Sequence, residues 1–286
     1  MKTQRFHFNC TLLVTLITSL LIVSGTVFAN SKPDTNRVLN SIITGKHRSE
    51  PHIIRNASRH PIETLQFLEV EPNMTVVEIW PGGSGWYTEI LAPYLRKQGK
   101  LYAAHFSPNS SVKYFRDNLK KFEEKISVHP EIYDAITITS LDAPKETTLA
   151  PANSVDRVLT FRNVHNWLKQ KDQGLSVFKG MYAALKPGGI LGVIEHRAPE
   201  SFTLKDMQES GYTTESLTIA LAKKAGFELM GKSEINANPK DNKNHAKGVW
   251  TLPPSLRLKN KDREKYIAIG ESDRMTLKFI KPKTDK

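Results

Sequence analysis

The chain has a single cysteine, Cys10, among 286 residues. One thiol cannot form an intramolecular disulfide, so the fold must depend on its apolar core for stability. The sequence also lacks internal repeats and low-complexity tracts, and residues 11–23 are its only apolar run that approaches membrane-spanning length. These absences exclude a disulfide scaffold, a solenoid and a multi-span membrane protein, and they leave one sizeable domain with appendages.

Acidic residues are few relative to basic ones, 29 against 41, which gives a formal charge of +12. Such an excess is typical of proteins that contact nucleic acid or an anionic membrane surface. Here the lysines are spread along the chain and concentrate in residues 256–286, and no nucleic-acid-binding module accompanies them. We therefore interpret the excess as solvated faces and a basic C-terminal tail, and expect no nucleic-acid partner.

Residues 1–29 have the pattern of a secretory signal peptide. Lys2 and Arg5 precede the apolar residues 11–23, and residues 27–29, VFA, form a small-x-small cleavage site. An uncleaved signal anchor is the alternative, which the cleavage site and the polar residues after it disfavour. We expect export to the periplasm, with no stable membrane span after cleavage.

The stretch around which the chain is organised is residues 75–95, TVVEIWPGGSGWYTEILAPYL. Its β-branched start suits a buried strand, a glycine-rich turn follows, and apolar residues then recur at helical spacing from Tyr87. Glycines let the backbone approach a ligand closely, and a helix N-terminus offers unpaired N–H groups. Glu78 lies inside the strand, where a buried acid needs a cationic or hydroxyl-bearing partner. The stretch predicts a nucleotide-type binding site.

Strands alternate with helices after residue 63, which predicts a mostly parallel, doubly wound α/β sheet. The predicted strands are residues 75–80, 100–106, 135–139, 154–161 and 190–195, and the predicted helices between and after them are 110–126, 165–185 and 214–224. Residues 227–235 and 247–253 predict a terminal antiparallel hairpin. The predicted domains are a signal peptide (1–29), a lead segment (30–62), the α/β domain (63–255) and a basic tail (256–286) with one candidate strand, 275–280.

The element order, the glycine turn, the LKPGG before the fifth strand and the closing hairpin together resemble class I S-adenosylmethionine-dependent methyltransferases. The FRNV of residues 161–164 is similar to the quinone-biosynthesis C-methyltransferases, and the EIWPGGSGWYTEILAPYL phrase is similar to a subgroup of exported predicted methyltransferases. The resemblance implies a seven-stranded Rossmann-like sheet, S-adenosylmethionine as cofactor and a small-molecule methyl acceptor. The cofactor-binding residues that it implies are Glu78, Trp80, Gly82, Gly83, Gly85, His105, Asp142 and Asn163.

Two of these positions depart from the family pattern. Trp80 replaces the first family glycine, and His105 replaces the acid that binds the ribose hydroxyls. A neutral histidine accepts one hydroxyl hydrogen bond, whereas a carboxylate accepts two. Asp142 matches the acid beside the adenine, and Asn163 matches a position at the methionine end of the cofactor. Trp80 and Tyr87 also suit a purely structural role in the core.

Polar residues that follow the fourth and fifth strands lie at the edge where open α/β sheets bind ligands. We predict His165 and His196 as catalytic residues, because methyl transfer needs a base when the acceptor loses a proton. Structural roles are the alternatives: Asn163 caps the next helix, and Glu195 forms an ion pair with Arg197.

A non-catalytic exported binding protein with the same fold is the alternative function, because His105 replaces the ribose-binding acid and the cofactor is made in the cytoplasm. A nicotinamide-dependent oxidoreductase is disfavoured, since the third Rossmann glycine and the strand-two acid are missing. The histidines and acids of this edge lack a dedicated metal-binding spacing such as HExxH, so we predict no metal. Nothing in the sequence selects an oligomeric state.

Overall fold

A computed structural model of the chain describes Met1 and residues 32–283, so the rest of the predicted signal peptide lies outside the described residues. The strands are β1 (Thr75–Ile79), β2 (Lys100–His105), β3 (Ile136–Ser140), β4 (Val155–Phe161), β5 (Leu185–His196), β6 (Glu228–Ser233) and β7 (Arg274–Ile280). The α-helices are α1 (Lys32–Ile43), α2 (Glu50–Ile53), α3 (Asn56–Arg59), α4 (Pro61–Phe67), α5 (Thr88–Leu95), α6 (Lys113–Val128), α7 (Pro130–Tyr133), α8 (Gln173–Ala184), α9 (Leu204–Ser210), α10 (Glu215–Lys224) and α11 (Arg263–Ile269). Short 3₁₀ helices span Val164–Leu168 and Gly248–Thr251. Among the described residues, every helix is too short or too polar to cross a bilayer.

The seven strands form one sheet in the order β3-β2-β1-β4-β5-β7-β6. Strands β1 to β5 pair in parallel, and β7 lies antiparallel between β5 and β6. The strand order reverses between β1 and β4, which is the switch point of a doubly wound sheet. This topology confirms the predicted fold class, a Rossmann-like seven-stranded sheet that ends in an antiparallel pair.

Helices cover the sheet on both faces. Val76 and Val77 of β1 are both fully buried and point to opposite faces, as the pleat of a strand requires. Val76 packs in an apolar cluster with residues of α1, α4 and α5, and Val77 packs in a second cluster with residues of α8 and α10. Burial on both faces explains why the central strands read as nearly continuous apolar runs.

The predicted hairpin has the wrong second strand. Residues 247–253 contain a 3₁₀ helix rather than a strand, and β6 pairs instead with β7, which starts at Arg274. Gly248 has a positive φ of 52°, and Pro253 and Pro254, which lack backbone N–H groups, end the segment, so it cannot supply a regular ladder. The predicted basic tail, 256–286, therefore includes an internal strand of the sheet, and the predicted domain boundary at residue 255 falls inside the folded unit.

The predicted helix over residues 165–185 is two separate elements. The 3₁₀ helix Val164–Leu168 ends before α8 begins at Gln173, and Asp172 between them has a left-handed φ of 61°. The C-terminal end of the prediction is also displaced, because Leu185 is extended and already belongs to β5. The break lets the segment after β4 turn along the sheet edge before α8 returns across the face.

The position of β7 inside the sheet gives a stability test. Phe279 is fully buried, whereas Ile267 of α11 is 46% exposed. We expect Phe279→Ala to lower the free energy of unfolding by about 3–5 kcal/mol, because it leaves a cavity in the core. The control Ile267→Ala should cost less than about 0.5 kcal/mol. Urea unfolding of both variants measures the difference, and equal costs would contradict the burial of this strand.

Candidate functional site

The glycine turn follows β1 at the switch point of the sheet. Gly82 and Gly85 have positive φ values of 68° and 54°, a region that glycine enters without steric cost. A Cβ added to Gly82 would meet nothing within 4 Å, whereas one on Gly85 would lie 3.0 Å from Phe122. The Gly83 N–H donates to Asn118 Oδ1 at 3.1 Å. The turn is therefore open at Gly82 and packed against α6 at the other two glycines.

Glu78 lies beneath this turn and is 2% exposed. Its Oε2 accepts a hydrogen bond of 2.6 Å from Thr88 Oγ1, which ties β1 to the start of α5. Burial raises the pKa of Glu78 to about 7, although the Thr88 hydrogen bond and the charges of Lys125 and Arg162 reduce the shift. The acid found in the sequence is thus a buried carboxyl group whose hydroxyl-bearing partner is Thr88.

Trp80 covers the ends of β1 and β2. It has a φ of 45°, which is rare for a residue with a side chain and fits the glycine that it replaces in the family pattern. Its indole packs against Phe106, Phe115 and Trp167, with ring centroids 4.6, 5.5 and 5.8 Å away. Trp80 Nε1 donates to the Leu141 carbonyl at 3.3 Å. The indole therefore belongs to the core and also covers the edge where the resemblance places the adenosine.

His105 and Asp142 follow β2 and β3 on the same edge. His105 is fully buried, and its Nδ1 accepts from the Phe106 N–H at 2.8 Å, so the proton of the neutral ring is on Nε2. Nε2 has no hydrogen-bond partner among the described residues. Burial lowers the pKa of His105 to about 4, although an interaction with the Gly82 backbone, which falls short of hydrogen-bond geometry, reduces the shift. Asp142 is half-buried, and its backbone pairs with that of Glu146.

Asn163 joins the ends of β4 and β1. Its Nδ2 donates to the Ile79 carbonyl at 2.9 Å and to Thr160 Oγ1 at 3.3 Å. The side chain makes no capping hydrogen bond to the 3₁₀ helix that follows, so the capping interpretation is wrong. Asn163 instead closes the gap between the two strands at the switch point.

His165 and Glu195 form a buried pair beyond β4 and β5. His165 Nδ1 lies 3.1 Å from Glu195 Oε1, and Glu195 Oε2 accepts from the His165 N–H at 3.2 Å. Glu195 is fully buried, and its Oε1 also accepts from the His196 N–H at 2.7 Å. Arg197 pairs with Asp273 and two glutamates other than Glu195, so the predicted Glu195–Arg197 ion pair is wrong. Glu195 fixes the His165 ring and leaves its Nε2 for another partner.

His196 lies beside this pair, with its ring centroid 5.4 Å from that of His165. Its Nδ1 is 2.5 Å from Ser272 Oγ. Ligand atoms of His165, Glu195 and His196 lie within 4.8 Å of one another, a spacing that a metal ion would accept. Burial, His165 and the charges of three arginines hold the pKa of His196 well below its usual range. Those arginine charges also oppose a divalent cation at this position.

The residues that sequence reasoning missed are arginines. Arg55 and Arg59 come from the lead segment, Arg162 follows β4, and Arg274 begins β7. Three of them, all except Arg162, form ion pairs with Glu271. We call these five residues the arginine cluster. Their positions, from 55 to 274, share no local pattern, so only the fold brings them together.

Comparison with known proteins shows the fold but no sequence family. No protein-family model and no curated protein matches the chain. Solved structures do match: an S-adenosylmethionine-dependent methyltransferase from Aquifex aeolicus has a TM-score of 0.53 and 13% identity over 87% of this chain and 98% of its own. The [4+2]-cyclase SpnF has a TM-score of 0.55 and 14% identity over 87% and 93%. The S-adenosylmethionine-dependent methyltransferase SibL has a TM-score of 0.50 and 13% identity over 81% and 57%. The chain thus has the fold of class I methyltransferases, a fold that also carries a cyclase, so its reaction must be argued from the site.

The buried carboxyl group of Glu78 gives a pH-dependent test. The pKa of Glu78 is about 7 in the folded protein, against an ordinary value of 4.5. Between pH 4.5 and pH 7 the folded protein therefore keeps this proton, whereas the unfolded chain has lost it. The stability that comes from retaining the Glu78 proton is fully present below pH 4.5 and is lost as the pH rises through 7. Relative to wild type, Glu78→Gln should therefore gain stability between pH 4 and pH 8, on the order of 3 kcal/mol.

Urea unfolding of wild type and Glu78→Gln at pH 4, 6 and 8 measures this difference. Glutamine keeps an acceptor for Thr88, so the comparison isolates the charge. Glu63→Gln, at an exposed position in α4, controls for the loss of a surface carboxylate. A gap between the Glu78 variant and wild type that is constant with pH would show that the buried carboxyl group ionises normally.

Proposed function

We propose that the chain is an S-adenosylmethionine-dependent methyltransferase that acts on a small-molecule acceptor. The observation that carries the proposal is the meeting, at the carboxyl edge of the sheet, of the glycine turn after β1 with the His165–Glu195 pair after β4 and β5. The turn offers a surface for a cofactor at the switch point, and the pair offers a base at the same edge of the sheet. The class I fold of solved methyltransferases supports the same reaction.

The residues at the edge fit the cofactor in two respects. Gly82 leaves open space above the turn, where a ligand can approach the backbone. The buried Nε2–H of His105 has no partner among the described residues, and it would donate to a ribose hydroxyl in place of the hydrogen bonds that an acid would accept. Asp142 would lie beside the adenine, and Asn163 and Glu78 would hold the strand ends and the turn in position. The Trp80 indole must turn aside to admit the adenosine.

When bound, S-adenosylmethionine supplies an activated methyl group, so the protein contributes mainly alignment and exclusion of water. His165 would take the proton that the acceptor loses, at Nε2, because Glu195 engages Nδ1. Glu195 acts here as a positioning residue, because its carboxyl group engages Nδ1 and the His165 N–H and so fixes the ring. His196, whose lowered pKa keeps it neutral, would contact the acceptor by hydrogen bonding.

Isothermal titration of the chain with S-adenosylmethionine and with its demethylated product tests the cofactor site. We expect binding in the micromolar range, about −8 kcal/mol. Gly82→Ala should weaken binding about tenfold, because its methyl group enters the open space and its φ of 68° is strained for alanine. Gly231→Ala, on β6, is the control: its added Cβ would lie 3.7 Å from Phe67, an ordinary contact.

Trp80→Ala is the complementary variant in the same titration. If the indole blocks the adenosine, its removal tightens binding, at a cost in stability of about 3–5 kcal/mol. Failure of the folded wild type and of this variant to bind either compound would overturn the proposed function and leave a binding protein with a methyltransferase fold.

We also propose that the protein is exported and that residues 1–29 are removed. The charged, apolar and small-residue pattern of this segment supports the proposal. Mass spectrometry of protein recovered from the periplasm of the expressing bacterium should show Asn30 as the first residue. Protein that retains Met1, or that stays with the cytoplasmic fraction, would contradict export with cleavage.

A further inference from the structure

The arginine cluster has more positive charge than its single acid neutralises. Glu271 accepts from Arg55 Nε at 2.6 Å, from Arg59 Nε at 3.1 Å and from Arg274 Nη1 at 2.8 Å. Burial would raise the pKa of Glu271, but the charges of the arginines outweigh it and hold that pKa well below its usual value. One carboxylate thus faces four guanidinium groups, and three of them donate to it, so the cluster keeps an excess of positive charge.

Several guanidinium nitrogens of the cluster have no acceptor among the described residues. Arg59 is 1% exposed, yet its Nη1 and Nη2 are both unpaired, and so are Arg55 Nη2 and Arg274 Nε. The side chain of Arg162 makes no hydrogen bond or ion pair within residues 32–283. Leaving a buried donor without an acceptor is unfavourable, and more so when the donor is charged. These groups therefore favour an external acceptor with negative charge.

The unpaired groups are held in place. The Trp86 ring lies under the Arg59 guanidinium, 4.6 Å from its centroid, and Arg274 Nη2 donates to the Ser58 carbonyl. Arg59 and Arg274 are thus fixed by contacts that leave some donors free, which lowers the entropic cost of binding a ligand. Arg55 and Arg162 keep partial exposure, so the cluster opens to solvent on their side.

The cluster adjoins the proposed catalytic pair. Arg274 of β7 is the register partner of His196 in β5, and Arg162 lies three residues before His165. Arg162, Arg274 and Arg59 all act on the pKa of His196, which places their charges near its ring. A ligand held by the cluster would therefore extend toward His165.

We propose that the arginine cluster binds a doubly charged oxyanion of the methyl acceptor, as in a phosphate monoester. That the bound anion belongs to the methyl acceptor rests on the proposed function. That the cluster binds an anion rests only on the contacts and charges of the cluster. A guanidinium group can donate two parallel hydrogen bonds to a pair of phosphate oxygens. The positive charge of the cluster exceeds the single negative charge of Glu271, which suits a ligand with two negative charges. The methionine end of the cofactor suits it less, because its ammonium and sulfonium charges would be repelled by the arginines.

Isothermal titration of the chain with inorganic phosphate, at fixed ionic strength in chloride, tests the site without cofactor. We expect binding in the high micromolar range. Arg162→Gln removes a side chain that makes no hydrogen bond to the described part of the chain, so the fold should persist and phosphate affinity should fall about tenfold or more. The control Arg263→Gln removes the same charge from an exposed position in α11 and should change the affinity less than about twofold.

Any of four results would overturn the anion site as we assign it. Three of these are no phosphate binding by the folded wild type, equal weakening by both variants, and tighter binding of malonate than of phosphate. Displacement of phosphate by S-adenosylmethionine would assign the cluster to the cofactor carboxylate and would also refute it. Phosphate binding without cofactor binding would support the anion site and would count against the methyltransferase proposal. A failure of the anion site can thus be distinguished from a failure of the proposed function.

Discussion

The hydrogen bond from Asn163 Nδ2 to the Ile79 carbonyl is the contact on which the proposed site depends. At the switch point the connections from β1 and β4 leave toward opposite sides, and the ladder between the two strands ends with Ile79 and Thr160. The side-chain amide of Asn163 adds one hydrogen bond between β1 and β4 beyond the last backbone pair of the ladder. It holds the start of the glycine turn against the segment that leads to His165, so the two halves of the proposed site keep a fixed separation.

Buried arginines elsewhere in the chain show what a structural guanidinium requires here. Arg157 is 7% exposed, and its donors are accepted by the carbonyls of Leu68, Glu69 and Asp156. Arg197 is shared among three carboxylates. Among the described residues, Arg59 leaves two nitrogens unpaired and the side chain of Arg162 makes no hydrogen bond or ion pair. Arg48, outside the cluster, also leaves Nη2 unpaired within residues 32–283, so the arginines beside His196 differ in the number of unpaired donors that they bring together.

Local sequence patterns could predict the parts of the structure that local interactions determine. The β-branched run of β1, the glycine turn and the placement of His165 and His196 at strand ends follow from period and turn chemistry. The partner of β6 was predicted wrongly although the sequence held a signal. Met275, Leu277 and Phe279 alternate with polar residues, whereas Gly248 and Pro253 argue against a strand over 247–253. The arginine cluster had no such signal, since its members come from the lead segment, the end of β4 and the start of β7. A formal charge of +12 gave no sign that part of the excess is buried.

The carboxyl edge divides into two electrostatic halves. Beyond β1 to β3 lie the carboxyl group of Asp142 and the aromatic faces of Trp80 and Phe106, which favour a cationic ligand. Beyond β4 and β7 lie the arginines, which favour an anion. A sulfonium cofactor and an anionic acceptor would thus each be attracted to one half and repelled by the other. The His165–Glu195 pair lies near the boundary, so this division of charge would orient both reactants toward the base before any specific contact to the acceptor is made.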